Sequence, residues 1–182
     1  SAVPCDVNQD GRLDMIVANA GTDEIRVFVH QADYTFADQG TYSTGHNSEP
    51  RSIAVGDFNN DSFVDVAVAN FGTHTLGILF GKANGTFANI TTFPPDRSKP
   101  NFVGTGDFNN DKYLDLVAVY SGTDRFGVRL GHGDGTFGSE KRYFMGYDSN
   151  STSLAIGHYN DDGYLDLAVA NTGVDEIAIL FG

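Results

Sequence analysis

The stretch Asp57-Phe58-Asn59-Asn60-Asp61-Ser62-Phe63-Val64-Asp65 decides the fold. It places oxygen-bearing side chains at positions 1, 3, 5 and 9 of a nine-residue loop. Carboxylates this close in sequence repel one another unless something neutralises them. A hard cation wants six to eight oxygens at about 2.3–2.6 Å, and such spacing supplies them from one short segment. The same stretch recurs three more times. Asp6-Val7-Asn8-Gln9-Asp10 runs on to Asp14, Asp107-Phe108-Asn109-Asn110-Asp111 to Asp115, and His158-Tyr159-Asn160-Asp161-Asp162 to Asp166.

Aligned on the first loop position, the copies are 51, 50 and 51 residues apart. Their flanks repeat as well. A short Val/Ile-rich run precedes each loop, such as Ser52 to Gly56, and another follows it, such as Val64 to Asn70. A third run follows each: Ile25 to His30, Leu76 to Gly81, Phe126 to Gly131 and Ile177 to Gly182. Short β-branched runs bounded by Gly, Asn and Asp read as strands. Continuous apolar runs read as strands buried on both faces. The turns Asn84-Gly85-Thr86-Phe87 and Asp134-Gly135-Thr136-Phe137 then supply the positive φ of a tight hairpin. A more polar fourth strand is expected, as over Ala88 to Phe93. No segment has helical periodicity.

Four-stranded units in tandem at this period predict an all-β fold. The expected architecture is a β-propeller of four tandem four-stranded blades, the last lacking its outer strand. It stands either alone or as a segment of a larger propeller. The whole chain, 1–182, reads as a single domain with repeats at about 1–51, 52–101, 102–152 and 153–182. The edge from Asp175 to Phe181 is left free for self-association.

Composition narrows the partners. The 182 residues are 40 % apolar, enough for a core, and the net charge is −13. Such charge repels nucleic acid and anionic lipid, so neither is an expected partner. No apolar run is long enough to insert in a membrane as a helix. The single cysteine, Cys5, excludes an intrachain disulfide and reads as a small buried residue.

Within each loop, position 7 is expected to add a backbone carbonyl: Arg12, Phe63, Tyr113 and Tyr164. Gly11 and Gly163 at position 6 suit a sharp turn, whereas Ser62 and Lys112 there are expected to round the bend another way. A helical Ca²⁺ loop is excluded, because position 12 is Val17, Val68, Ala118 or Val169 rather than Glu. Mg²⁺ prefers fewer protein carboxylates, and Zn²⁺ needs Cys or His. In the fourth loop His158 replaces the first Asp, and imidazole suits a hard cation poorly. That site is expected to be weaker or empty, unless Asp161 compensates.

The pattern Asp-x-Asn-x-Asp-x-x-x-Asp, the preceding Ala54-Val55-Gly56-Asp57 strand end, and Leu79-Phe80-Gly81 leading to Gly85-Thr86-Phe87 resemble the FG-GAP/VCBS repeat. This is the blade unit of the integrin α-subunit head. The resemblance covers essentially the whole chain and implies Ca²⁺ in the loop joining the innermost strand to the second. The ligand positions it implies are Asp6, Asn8, Asp10 and Asp14; Asp57, Asn59, Asp61 and Asp65; Asp107, Asn109, Asp111 and Asp115; and Asn160, Asp162 and Asp166. Three Ca²⁺ sites and a weaker or empty fourth are thus expected. In the first unit His30-Gln31-Ala32-Asp33-Tyr34 replaces the glycine-rich turn of the pattern.

The family hosts adhesion heads, lectins and parts of polysaccharide lyases, and fold alone does not choose among them. The expected function is an extracellular or cell-surface Ca²⁺-binding module for protein or glycan recognition and cell adhesion, not an enzyme. The alternatives are a fragment of a polysaccharide-degrading enzyme and an architectural spacer. Glu24, Glu49, Glu140 and Glu176 show no supporting His or Arg in sequence. Phe36, Phe87 and Phe137 read as blade core, Phe58 and Phe108 as packing between blades, and Tyr42, Tyr143 and Tyr147 as candidate sugar-stacking residues. Asn84, Asn89 and Asn150 head glycosylation sequons, in keeping with an extracellular location.

Overall fold

The computed structural model describes residues 1–93 and 98–182. It contains four separate antiparallel sheets and, among the described residues, no helix. The first sheet is β1 (Ala2–Cys5), β2 (Asp14–Asn19), β3 (Glu24–His30) and β4 (Phe36–Ser43), hydrogen-bonded in that order. The second is β5 (Pro50–Gly56), β6 (Asp65–Asn70), β7 (Thr75–Leu79) and β8 (Thr91–Thr92). The third is β9 (Lys99–Gly106), β10 (Asp115–Ser121), β11 (Arg125–Arg129) and β12 (Lys141–Phe144). The fourth has three strands, β13 (Ser151–Gly157), β14 (Asp166–Asn171) and β15 (Glu176–Leu180).

Each acidic loop joins the first strand of a sheet to the second. The outer strand of the second sheet is shorter than Ala88 to Phe93 would suggest. Only Thr91 and Thr92 pair with β7, after an isolated bridge between Gly81 and Phe87. The amides of Ala88 and Phe93 also donate to the Phe80 and Leu76 carbonyls, so the outer edge is held by spaced contacts.

The sheets stack in chain order, and the inner strands β1, β5, β9 and β13 lie side by side in sequence. One apolar layer fills each gap. Ile16, Ile25 and Val27 of the first sheet meet Val66, Val68 and Leu79 of the second. Phe58, Leu76 and Ile78 of the second meet Val103, Leu116 and Tyr120 of the third. Val117, Val119 and Phe126 of the third meet Leu154, Leu167 and Val169 of the fourth. Each such side chain, fully buried, contributes about 1.5–3 kcal/mol.

Burial follows position in the stack. Every residue of β6 is buried, because sheets cover both its faces. The homologous β2 alternates buried with exposed or half-buried, since only one of its faces is covered. The same rule corrects the reading of Phe36 as core. Phe87 packs edge-on against Tyr42 of the preceding sheet, with ring centroids 5.3 Å apart. Phe137 packs likewise on Phe93, at 5.6 Å. The hairpin phenylalanine thus covers the sheet before its own. Phe36 has no such sheet to cover, stacks only on His30 at 5.0 Å, and is 49 % exposed.

The first hairpin reaches the same shape without glycine. Tyr34 takes φ 65° where Gly85 takes 72° and Gly135 takes 83°. In all three turns a side-chain oxygen accepts from the Thr two residues on: Asp33 from Thr35, Asn84 from Thr86 and Asp134 from Thr136. This Asx turn offsets the strain that Tyr34 carries.

Candidate metal centre

The four loops differ from a plain turn in how their carboxylates are used. Asp57 Oδ2 accepts from the Ser62 amide at 2.8 Å, and its Oδ1 from the Asp61 amide at 3.2 Å. Asn59 Oδ1 accepts from the Asp61 amide, and Asp61 Oδ1 from the Phe63 amide. The loops of Asp6 and Asp107 repeat these contacts at the matching residues. Position 4 is left-handed in each: Gln9, Asn60 and Asn110 have φ of 59°, 56° and 58°.

Position 6 corrects an expectation. Ser62 and Lys112 do not round the bend differently; they take φ of 70° and 73°, close to Gly11 at 82°. The physical reason is the charge-assisted bond from their own amides to the position 1 carboxylate. It holds a conformation that a Cβ disfavours.

Position 9 is different again. Asp14, Asp65, Asp115 and Asp166 are buried. Asp65 Oδ2 accepts from the Phe58 amide and its Oδ1 from the Gly81 amide, both at 2.8 Å. Asp14 does the same with Val7 and His30, and Asp115 with Phe108 and Gly131. Asp166 accepts from Tyr159, Asn160 and Gly182. This carboxylate therefore staples the loop to the end of the third strand. Burial pushes the Asp65 carboxyl up to about 6, against the pull of its two amide donors. Asp115 is raised for the same reason.

A hard cation fits the remaining donors. Positions 1, 3 and 5 are Asp, Asn and Asp, half-buried or exposed, and the position 7 carbonyl lies in the same loop. Carboxylate and amide oxygens keep lone pairs beyond the amide bonds they accept. Among the described residues no three His, Cys, Asp or Glu side chains group closely enough to hold a metal by themselves. A cation held here would have to draw on Asn, backbone carbonyl and water as well, a donor set that suits Ca²⁺ better than Zn²⁺.

The loops are not equal. In the first, the Arg12 guanidinium pairs with Asp10 and also donates to the His30 carbonyl. Burial opposes ionisation of Asp10, yet the Arg12 amide, Asn8 and the guanidinium hold its carboxyl below the usual range. In the fourth, His158 Nδ1 lies 2.8 Å from the Tyr164 carbonyl oxygen, the position 7 donor of that loop. The imidazole thus occupies the oxygen that a cation would use. Asp161 does not adopt the left-handed position 4 geometry of the other loops and is exposed.

Adjacent units brace the loops. The Gly135 amide donates to the Phe58 carbonyl at 2.9 Å, and Gly85 packs beside Asn8 and the Val7 carbonyl. A glycine is needed at Gly85 because its φ is positive and the preceding loop passes so close. Sequence reading missed a second repeated clamp. Asp23, in the β2–β3 turn, accepts from the amides of Asn47 and Glu49 and from Ser48. Asp124 accepts in the same way from Asp148, Asn150 and Ser149. Both carboxyls are held below the usual range. The signal was available: Gly-Thr-Asp stands at 21–23 and 122–124.

Two further expectations change. Glu140 is not without partners: Tyr120 Oη donates to it at 2.5 Å, Arg142 Nε at 2.5 Å, and Arg129 lies at 3.3 Å. This buried network fixes the β11–β12 corner and raises the Tyr120 hydroxyl through burial and the adjacent carboxylate. Each of the three candidate sugar-stacking tyrosines has a ring partner, Tyr42 on Phe87, Tyr143 on Phe126 at 4.8 Å and Tyr147 edge-on to Phe144 at 5.1 Å, and Tyr147 is the most exposed of them. A groove of about 800 Å³ lies between the third and fourth sheets, lined by Phe108, Phe126, Val128, Tyr143 and Leu167, with Glu140 at its edge. Cys5 is buried, which pushes its thiol up to about 12 and leaves it unreactive.

Four antiparallel sheets, each carrying an acidic loop after its first strand, define a tandem all-β repeat protein. The chain belongs to the FG-GAP-like repeat family, whose model matches residues 6–68, 58–118 and 107–169. No curated protein is significantly similar in sequence. Among solved structures, the chain is similar to an Agrocybe aegerita lectin that recognises non-reducing terminal N-acetylglucosamine. The identity is 18 % and the TM-score 0.63, over 97 % of this chain and 50 % of the lectin. A Lactobacillus plantarum protein matches at 12 % identity and TM-score 0.62, over 98 % of this chain and 53 % of that one. Part of the Photorhabdus luminescens Tc holotoxin pore matches at 17 % and 0.58, over 94 % of this chain and 8 % of that one. The chain therefore spans about half the length of the first two, and far less of the third. At these identities the likeness is one of fold, and that fold is propeller-like.

Proposed function

We propose that the chain forms blades of a β-propeller and serves as an extracellular, Ca²⁺-stabilised recognition module for glycan or protein, with a role in adhesion. The observation that carries this reading is the in-register Asp-x-Asn-x-Asp loop, present in three units with the same backbone geometry and the same bonds. A dense row of carboxylates in a chain of net charge −13 favours divalent cation uptake. Asp6, Asn8 and Asp10, with their counterparts in the second and third loops, would hold Ca²⁺ together with the carbonyls of Arg12, Phe63 and Tyr113. The fourth loop, closed by His158, stays weak or empty.

In this reading the cation is structural. It neutralises the loop, and the position 9 carboxylate anchors that loop to the third strand. Extracellular Ca²⁺ sites bind at roughly 10⁻⁴–10⁻³ M, which is why the module is placed outside the cell. The lectin similarity favours a glycan ligand. The commitment of Glu140 to Tyr120, Arg129 and Arg142 favours binding over catalysis.

Calorimetric titration with CaCl₂ tests the core of the proposal, and three sites are expected. Saturation at 100 Kd stabilises by about 2.7 kcal/mol per independent site, so EDTA should lower the melting temperature visibly. No heat of binding and no EDTA effect would overturn it. A glycan array that includes terminal N-acetylglucosamine, read with and without Ca²⁺, tests the ligand class.

A further inference from the structure

Four Asn-x-Ser/Thr sequons stand in the chain, headed by Asn60, Asn84, Asn89 and Asn150. The fold sorts them, because an N-linked glycan is bulky and must leave its asparagine into water. Asn60 is position 4 of a loop, and its Nδ2 lies 2.9 Å from where a Cβ on Gly133 would stand. Its sequon serine, Ser62, is held by the Asp57 carboxylate. Asn150 is committed to the clamp. Its amide donates to Asp124, its Nδ2 to Thr172 Oγ1 at 3.3 Å, and its Cβ lies 3.1 Å from the Cβ position of Gly173. A sugar on either nitrogen would have to push a packed neighbour aside.

Asn84 and Asn89 are different. Asp33, Asn84 and Asp134 do one job in their turns, accepting from the Thr two residues on. That job needs only a side-chain oxygen, so the amide nitrogen that Asn84 alone adds is surplus to the turn. Asn89 takes the place that Ser139 has in the third unit. It stands exposed at the rim of an open groove of about 340 Å³, beside Tyr42 and Ser43. Among the described residues neither Nδ2 has a partner. Both asparagines flank the outer edge of the second sheet. That edge is the weakest of the three outer strands: β8 is Thr91–Thr92 alone, and both residues are exposed. An unprotected edge invites pairing with another chain and cleavage.

We propose that Asn84 and Asn89 each carry an N-linked glycan that shields this edge, and that Asn60 and Asn150 carry none. The inference rests on the extracellular placement given above. The donor is a lipid-pyrophosphate oligosaccharide. The bond between its anomeric carbon and the pyrophosphate oxygen breaks, and the bond from that carbon to Nδ2 forms. The lipid pyrophosphate leaves as an anion, and the proton lost from Nδ2 passes to a base of the transferring enzyme. The Oδ1 of Asn84 keeps both its bonds to Thr86, so the turn survives the modification.

The 182-residue chain, secreted from cultured insect cells behind a cleavable signal peptide, tests the proposal. N-glycosidase digestion in heavy-oxygen water marks each carrier asparagine as a labelled aspartate, and peptide mass spectrometry locates it. An undigested control excludes spontaneous deamidation. Label is expected at Asn84 and Asn89 only. Asn84→Asp and Asn89→Ser copy the residues of the third unit, so each should fold, checked by far-UV circular dichroism, and lose one glycan from the intact mass. A secreted chain that lacks sugar at Asn84 or Asn89, or bears it at Asn60 or Asn150, would overturn the assignment. Enzymatic removal of both glycans should hasten cleavage between Lys82 and Phe93 by a broad-specificity protease, and unchanged cleavage would overturn the shielding role. Calorimetry with CaCl₂ on the same material keeps the two readings apart. Ca²⁺ uptake without glycan defeats this inference alone, and glycan without Ca²⁺ uptake defeats the cation reading alone.

Discussion

Replacing Asp65 with alanine separates the anchoring carboxylate from the proposed cation ligands. Asp65 is fully buried, and its two oxygens accept the amides of Phe58 and Gly81, each at 2.8 Å. Losing both acceptors strands two buried donors at about 1–3 kcal/mol each. Release of a desolvated carboxylate offsets part of that cost, leaving an expected loss of about 2–4 kcal/mol. For a domain of this size each kcal/mol moves Tm by roughly 2–4 °C, so the variant should melt about 4–16 °C lower. The loss should be about the same in EDTA as in saturating Ca²⁺. Asp57→Ala is the contrast. Its carboxylate accepts only the amides of Asp61 and Ser62 within the loop, and removing it in EDTA should cost about 0.5–1.5 kcal/mol. In Ca²⁺ at 100 Kd it forfeits in addition about 2.7 kcal/mol of linkage. Urea titrations of both variants, with and without EDTA, read the four numbers. If Asp65→Ala is nearly silent in EDTA and costs stability only when Ca²⁺ is present, Asp65 is a ligand rather than an anchor, and the reasoning fails.

Position 2 of the loop should show a gradient set by neighbours: Phe58→Ala costs about 3–5 kcal/mol, half-buried Phe108→Ala less, and exposed Tyr159→Ala under about 1 kcal/mol, all by urea unfolding. His158→Asp restores the first loop position and frees the Tyr164 carbonyl, so calorimetry should count one more Ca²⁺ than in the wild type. The carboxyl of Asp23 is lowered chiefly by the amide of Glu49, then by Asn47 and Ser48. That of Asp124 is lowered by Asn150, Asp148 and Ser149 in spite of its burial. A lowered folded pKa means the unfolded chain binds more protons in acid, so their stabilisation is complete above the unfolded value of about 3.9 and is lost as pH falls through the folded one. Asp23→Asn should therefore flatten the acid limb of the stability–pH curve while lowering stability at pH 7.

Repetition made the period, the strand order and the acidic loops legible, because a pattern seen four times reveals which positions its geometry constrains. It could not reveal what differs between copies. Burial is set by the neighbouring sheet, so Phe36 and Phe87 share a position in the repeat yet not an environment. Nor could the spacing of loop oxygens tell which face outward. Positions 1, 3, 5 and 9 look alike in sequence, yet the last is drawn under the loop, where the amide of loop position 2 and the amide just past the third strand both need an acceptor. Glu140 escaped notice for the opposite reason: its partners Tyr120 and Arg129 stand 20 and 11 residues upstream, brought in by strand pairing rather than by any local motif.

Position 6 teaches the same lesson from the backbone side. Sequence preference assigns a left-handed bend to glycine, and Gly11 and Gly163 obey it. Ser62 and Lys112 reach the bend because the Asp at position 1 binds their amides. The fourth loop has glycine at the bend but no such carboxylate, so its Gly163 must turn without that bond, and His158 turns instead to the Tyr164 carbonyl. The first carboxylate therefore helps to shape the loop; where it is missing, the Asn160 and Asp162 bonds and the Gly163 bend persist, but the left-handed position 4 is lost and the Tyr164 carbonyl is taken by the imidazole.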